Sequence, residues 1–163
     1  MRVVVLGDTH IRPGRSRRLP DTAYAQLERA DAILHTGDVV VADLLHELAG
    51  FAPTHAVLGN NDHSLVGVLP ERRLVELDGV RVGMVHDPGP RAGREARVHR
   101  WFPDADVVVF GHTHAPVDQL GVGRQRLFNP GSPTERRMQP RHTVGVLGLS
   151  RGAVTAHRIV AVT

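Results

Sequence analysis

The sequence predicts an α/β fold in which many short strands split into two packed sheets with helices outside. Two observations carry this expectation. The first third alternates Val-rich apolar runs with longer amphipathic segments, a β-α-β-α-β order that implies right-handed crossovers and a parallel sheet. The second half is a succession of strand-length runs joined by turn pairs such as Asp78-Gly79 and Arg151-Gly152.

Arg2–Leu6 is apolar after its first residue and stops at Gly7-Asp8, as a strand buried on both faces would. Asp21–Ala30 follows Pro20 and spaces Ala23, Leu27 and Ala30 for one helical face. Ala32–His35 is a second buried strand, ending at Gly37-Asp38. Val41–Ala49 places Leu44, Leu45 and Leu48 on one side of a helix that Gly50 stops. His55–Leu58 is a third strand, running into Gly59-Asn60. Further strands are expected at Arg73–Leu77, Arg81–Val85, Val107–Phe110, Arg124–Phe128, Thr143–Leu149 and Val154–Val162, with one helix near Ala92–Phe102.

Composition narrows the function classes. The 163 residues fit one domain, expected to span residues 1–163. With 41% hydrophobic and 23% charged residues the chain has ordinary globular composition. It contains no Cys, which excludes disulfides, thiolate metal sites and cysteine nucleophiles. The longest apolar runs are strand-length, short of the roughly 20 residues of a membrane helix. The N-terminus runs straight into a strand, so a cytoplasmic location is expected. The net charge is only +3, although the pI is about 10.8, because every basic residue is Arg. The Arg residues are loosely grouped at 12–18, 91–100 and 136–141, and no long basic segment points to nucleic acid.

The 11 histidines are the unusual count. Several lie with Asp and Gly just after strands: Asp8-Thr9-His10, Gly37-Asp38, Gly59-Asn60-Asn61-Asp62, His86, and Gly111-His112-Thr113-His114. Functional sites of open α/β sheets form where the C-terminal ends of strands converge, and all five segments belong there. Any one of them alone is an ordinary turn. Together, in this order, they point to a metal site built from nitrogen and oxygen donors.

This order resembles the calcineurin-like metallophosphoesterase superfamily. Gly59-Asn60-Asn61-Asp62, Asn129-Pro130-Gly131-Ser132 and the short chain are similar to its small single-domain branch, the YfcE-like phosphodiesterases. The resemblance implies a four-layer α-β-β-α sandwich of two mixed sheets. It also implies a dinuclear centre, with Asp8, His10, Asp38 and His114 holding one ion and Asp38, Asn60, His86 and His112 the other. Asp38, Asn60, Asn61 and Asp62 are the implied catalytic residues. Two ions roughly 3.5–4 Å apart can pin a hydroxide and clamp phosphoryl oxygens. Roughly +4 from two divalent ions, −2 from Asp8 and Asp38 and −1 from hydroxide leaves about +1, which suits a phosphodiester anion. The donor set fits Mn, with Fe, Ni, Co or Zn also compatible.

Two positions depart from the family pattern. Asn61 stands where a histidine, or in the small branch often a cysteine, is usual, and Asn cannot deliver a proton at neutral pH. His63 is a candidate substitute. Asp87 replaces the usual glycine after His86, as an orienter of His86 or as part of the turn before Pro88-Gly89. His35 is expected to be a buried strand residue, Asn129–Ser132 a structural loop, and Arg136 and Arg137 candidates to reach a substrate phosphate. The expected activity is hydrolysis of small phosphodiesters. The alternatives are a phosphomonoesterase or nucleotide phosphatase with the same centre, and a non-catalytic protein-binding scaffold like the retromer subunit of this fold. Such scaffolds lose several metal residues, whereas every expected position is filled here. The oligomeric state is left open.

Overall fold

Val3, Val4, Val5 and Leu6 are all fully buried, and successive side chains enter different cores. The computed structural model describes residues 1–163. Strand β1 (Arg2–Leu6) is the middle of a five-stranded sheet. On one side it pairs in parallel with β2 (Ala32–His35), which pairs in parallel with β3 (Thr54–Ala56). On the other side it pairs antiparallel with β9 (Thr143–Ser150), and β10 (Ala153–Ala161) forms the edge. The second sheet has the order β4 (Arg72–Leu77), β5 (Val80–Val85), β6 (Val107–Val109), β8 (Arg126–Asn129), β7 (Val117–Leu120). In it β5, β6 and β8 are parallel, and the two edge strands are antiparallel to their neighbours.

The alternation of β1 sets the layers. Val3 and Val5 pack between the sheets with Leu34, Val82, Met84, Val109, Phe128 and Leu147. Val4 and Leu6 face outward and meet α1 (Asp21–Leu27) and α2 (Ala42–Ala49) through Ala23, Leu27, Leu44 and Leu48. On the far side α3 (Arg94–Trp101) buries Val98 against Val85, Val108, Phe110 and Leu127 of the second sheet. The result is the four-layer α-β-β-α sandwich. Burying a side chain such as Leu27 or Val98 contributes roughly 1.5–3 kcal/mol, so both outer sheet faces hold their helices by apolar area. No helix is long and apolar enough to cross a membrane.

Several element limits differ from expectation. The third strand is Thr54–Ala56 rather than His55–Leu58, because the Leu58 N–H turns away to the Pro70 carbonyl (2.8 Å). The helix expected near Ala92 starts at Arg94, since Gly93 has φ +70. Strand β8 begins at Arg126 because Arg124 belongs to the turn that the Gly121 N–H closes on the Gln125 carbonyl (2.7 Å). Strand β7 and a one-turn 3-10 helix at His63–Leu65 carry no periodic apolar signal and were not expected.

Candidate metal centre

The parallel registers bring the strand ends together. Leu6 stands beside His35 and His35 beside Ala56, so the loops that leave β1, β2 and β3 are neighbours. These loops are stitched by Asp8 N–H to the Gly37 carbonyl and His10 N–H to the Asp38 carbonyl, both 3.0 Å. In the second sheet the Gly111 N–H bonds the His86 carbonyl at 2.9 Å, which joins the loops after β5 and β6. The backbone kinks sharply here. Asp8, His10, Asp38, His112 and His114 all have positive φ, between +46° and +70°. For a residue other than glycine this conformation is disfavoured, and Asp and His are among those that tolerate it best. Glycine is required at Gly59, where a Cβ would lie 2.3 Å from Asp38 Oδ1.

Two donor groups result. Asp8, His10 and His114 form one and Asp8, Asp38 and His86 the other, the ligand atoms in each lying within 4.8 Å of one another. The His10 and His114 rings stack with centroids 5.2 Å apart. His10 Nε2 is 3.3 Å from Asp38 Oδ2, and His114 Nε2 is 3.6 Å from Asp8 Oδ1. Asn60 Oδ1 lies 2.9 Å from His86 Nε2 and 3.2 Å from His112 Nδ1, and His86 Nε2 is 3.4 Å from Asp38 Oδ2. Asp8, His10, Asp38, Asn60, His86, His112 and His114 are thus brought into one contiguous cluster.

The residues fit a divalent cation. Asp8 Oδ2, His10 Nε2 and His114 Nε2 are buried and have no hydrogen-bond partner. Three orphaned donor atoms beside one another are what a metal would satisfy. Hydrogen bonds aim the imidazoles. His86 Nδ1 donates to the Thr36 carbonyl (2.8 Å) and His114 Nδ1 donates to the Glu135 carbonyl, which leaves each Nε2 facing the cluster. Burial lowers the pKa of both His10 and His114, which keeps them neutral and able to ligate. Burial opposes ionisation of Asp38. His86 and Asn61 outweigh it and hold the carboxyl well below the usual range. Asp8 is pushed up to about 7 by burial and by the charge of Asp38, with His86 opposing.

The remaining candidates fall around this cluster. Asn61 donates its N–H to Asp38 Oδ1 (2.8 Å) and its Nδ2–H to Asp38 Oδ2 (2.9 Å). Asp62 lies behind the cluster, where its carboxylate accepts N–H bonds from Asp38 (3.0 Å), Val40 (2.6 Å) and Gly59 (2.7 Å). That grip holds Val40, a β-branched residue, at φ +80. Asp87 does not orient His86. Its Oδ1 accepts the Gly89 N–H (2.8 Å) in the turn, and its Oδ2 is 3.8 Å from His112 Nε2. His35 is fully buried, with Nδ1 accepting the Gly37 N–H (3.2 Å), so its proton sits on Nε2 facing Thr9 Oγ1 (3.1 Å). Asn129 bonds the Gly111 carbonyl (3.1 Å) and Ser132 the Asp8 carbonyl (2.8 Å), a structural role for that loop. His63 is exposed. The positive charge of Arg137 acts on Asp8, His10 and His114, whereas Arg136 is tied to the Gln139 carbonyl. The Thr36 and Glu135 carbonyls that aim two ligands had no sequence signal, because they are backbone groups.

The family model described as calcineurin-like phosphoesterase superfamily domain matches residues 1–152. The chain belongs to that superfamily. A probable metallophosphoesterase of Methanothermobacter thermautotrophicus is 36% identical over 140 residues, covering 85% of this chain and 80% of that protein. A second probable metallophosphoesterase, from Methanocaldococcus jannaschii, is 33% identical and covers 84% of this chain and 70% of its own length. Among solved structures, a single-substitution variant of Vps29 from Entamoeba histolytica superposes with a TM-score of 0.77 at 25% identity, covering 99% of each chain. Membership and the buried donor groups together make this phosphoesterase a metal-binding hydrolase of phosphoesters.

Proposed function

We propose that this phosphoesterase hydrolyses small phosphodiesters at a dinuclear centre. Asp8, His10, Asp38 and His114 hold one divalent ion, Asp38, Asn60, His86 and His112 a second, and manganese is the first candidate. The observation that carries the reading is the convergence of seven donors around Asp38 and Asp8, three of their buried atoms lacking any partner. When bound, the metal supplies Lewis-acid polarisation of the phosphoryl oxygens and a nucleophile at neutral pH.

The chain's own residues do the rest. Asp38, kept ionised by His86 and Asn61, is the shared carboxylate. His86 and His114 keep their Nε2 atoms toward the site through the Thr36 and Glu135 carbonyls. Asp62 and His35 act as positioning residues for the Gly37-Asp38 turn. Arg137 adds positive charge beside the first donor group and is the candidate partner for a phosphate oxygen. Asn61 gives its backbone N–H and one side-chain N–H to Asp38 and carries no transferable proton, so the preferred substrate has a good leaving group. Roughly +4 from two ions, less −2 from Asp8 and Asp38 and −1 from hydroxide, leaves about +1, which matches a diester monoanion better than a monoester dianion.

Elemental analysis after reconstitution with manganese should find close to two ions per chain, and a value near zero would sink the metal reading. Hydrolysis of bis(p-nitrophenyl) phosphate should require metal and exceed that of p-nitrophenyl phosphate in kcat/KM. A faster monoester would replace the diesterase with the phosphatase alternative. The likeness to Vps29 is one of fold, and metal-dependent turnover of a diester is what separates the hydrolase from the protein-binding scaffold alternative.

A further inference from the structure

Beside the metal centre lies a cavity of about 380 Å³ lined by His10, Arg12, Arg15, Ser16 and Arg17. His10 belongs to the donor cluster, so the cavity and the centre share a wall. No hydrophobic residue and no carboxylate lines it. Its volume falls in the range of small-ligand sites, about 300–1,000 Å³.

The arginines are arranged by a turn. Arg12-Pro13-Gly14-Arg15 closes with the Arg15 N–H on the Arg12 carbonyl (3.3 Å), and Gly14 has φ +69. Pro at the second position and a left-handed Gly at the third are the marks of a type II turn, whose ends lie within about 7 Å of each other. The turn thus sets Arg12 and Arg15 side by side. Arg17 is already engaged, with Glu135 Oε2 at 2.8 Å and the His10 carbonyl at 3.4 Å. Arg18 is engaged with Asp21 at 2.6 Å. Arg12 and Arg15 are exposed, and neither side chain bonds to the rest of the chain.

Two free guanidinium groups on a short turn form a fork for a planar or tetrahedral oxyanion, and phosphate is one that such groups hold in a bidentate manner. The reacting phosphate does not need them. It carries about one negative charge, which the surplus of about +1 at a loaded centre already balances. We propose that the Arg12/Arg15 turn binds a second phosphate of the same substrate, so that the preferred diester carries an additional phosphate on one substituent. The proposal rests on the phosphodiesterase reading and names its substrate class.

The test uses the thymidine dinucleotide TpT, its 5′-phosphorylated form pTpT, and bis(p-nitrophenyl) phosphate. In the metal-loaded wild type kcat/KM for pTpT should exceed that for TpT by about tenfold or more. The advantage should shrink with added salt, as exposed charges are screened. In the double variant Arg12→Ala/Arg15→Ala the two dinucleotides should be turned over alike, while Arg18→Ala should keep the preference. Calorimetry on metal-stripped protein, where no turnover occurs, should show tighter binding of pTpT than of TpT in the wild type and equal binding in the double variant. If the wild type shows no preference by either measure, or the double variant keeps it, the second-phosphate site is wrong. If metal-loaded wild type cleaves none of the three diesters, the phosphodiesterase reading fails instead, whatever the calorimetry shows.

Discussion

Asp62 is 1% exposed, and its carboxylate is held by the N–H groups of Asp38, Val40 and Gly59. Those three groups belong to two loops, which Asn61 also joins through its bonds to the Asp38 carboxylate. Asp62→Ala would leave buried donors without acceptors, each worth roughly 1–3 kcal/mol, so the expected loss is about 3 kcal/mol once partial relaxation is allowed. Urea unfolding measures it, and Asp62→Asn, which keeps one acceptor oxygen, should lose less. Metal uptake by Asp62→Ala should fall as well, since the freed loops carry Asp38 and Asn60. His35 gives a pH-dependent counterpart. Burial lowers its pKa from 6.5 to about 3, so the unfolded chain binds a proton there that the folded chain refuses. Its contribution to stability is complete above pH 6.5 and is lost as the pH falls toward 3, at about 1.4 kcal/mol per pH unit. Asp8 in the metal-free protein works in the opposite sense, because its pKa is raised from 3.8 to about 7 and its protonated form is favoured on folding. The comparison that isolates His35 is therefore between wild type and His35→Gln, both without metal. The variant should show a flatter loss of stability between pH 6.5 and 4, and parallel curves would refute the account.

Each parallel strand here ends in a loop, and the loops crowd one another to within contact distance. Gly59 shows how closely. A methyl group there would meet the Asp38 backbone nitrogen at 2.1 Å and, at 2.3 Å, Asp38 Oδ1, which the Asn61 N–H holds in place. Gly59→Ala should therefore displace the shared carboxylate, with at least about a tenfold loss of metal affinity by competition with a chelator. Unchanged affinity would mean that the two loops are looser than their packing implies. The elements themselves were legible where they are apolar. Strands β1, β2 and β6 are buried on both faces and appear in the sequence as short apolar runs. Strand β7, Val-Asp-Gln-Leu at a sheet edge, is exposed over three of its four residues and exists through its pairing with β8. Pairing leaves no periodicity to find.

At the scale of the molecule, the donor cluster spans the sandwich. Asp8, His10, Asp38 and Asn60 follow strands of the first sheet, and His86, His112 and His114 follow strands of the second. A ligand bound by all of them ties the two sheets together at one end of the shared core. Manganese at 100 times its dissociation constant should stabilise the fold by about 2.7 kcal/mol through mass action. For a chain of this size that corresponds to a rise in Tm of roughly 5–10 °C. Thermal denaturation with manganese and with a chelator checks this. Asp38→Asn should blunt the shift most among single ligand variants, because Asp38 faces His10 and His86 at once. An equal shift in that variant would remove Asp38 from the bridging position.

The local chemistry of the chain determined its layers and its donor set. Apolar periodicity reports which strand faces are buried, and Asp and His after Gly-bounded strand ends report a cluster of nitrogen and oxygen ligands, both within a few residues of sequence. Only the tertiary structure decided how those donors are aimed. His86 is oriented by a carbonyl 50 residues away and Asp8 is held by Ser132, 124 residues away. It also settled Asp87 in the turn before Pro88-Gly89 rather than on His86, and turned Asp62 from the site to the backbone behind it. The physical reason is that a side chain's direction is settled by hydrogen bonds to backbone groups, and every residue type carries the same N–H or C=O. Such partners leave no mark in the sequence until the fold brings them together.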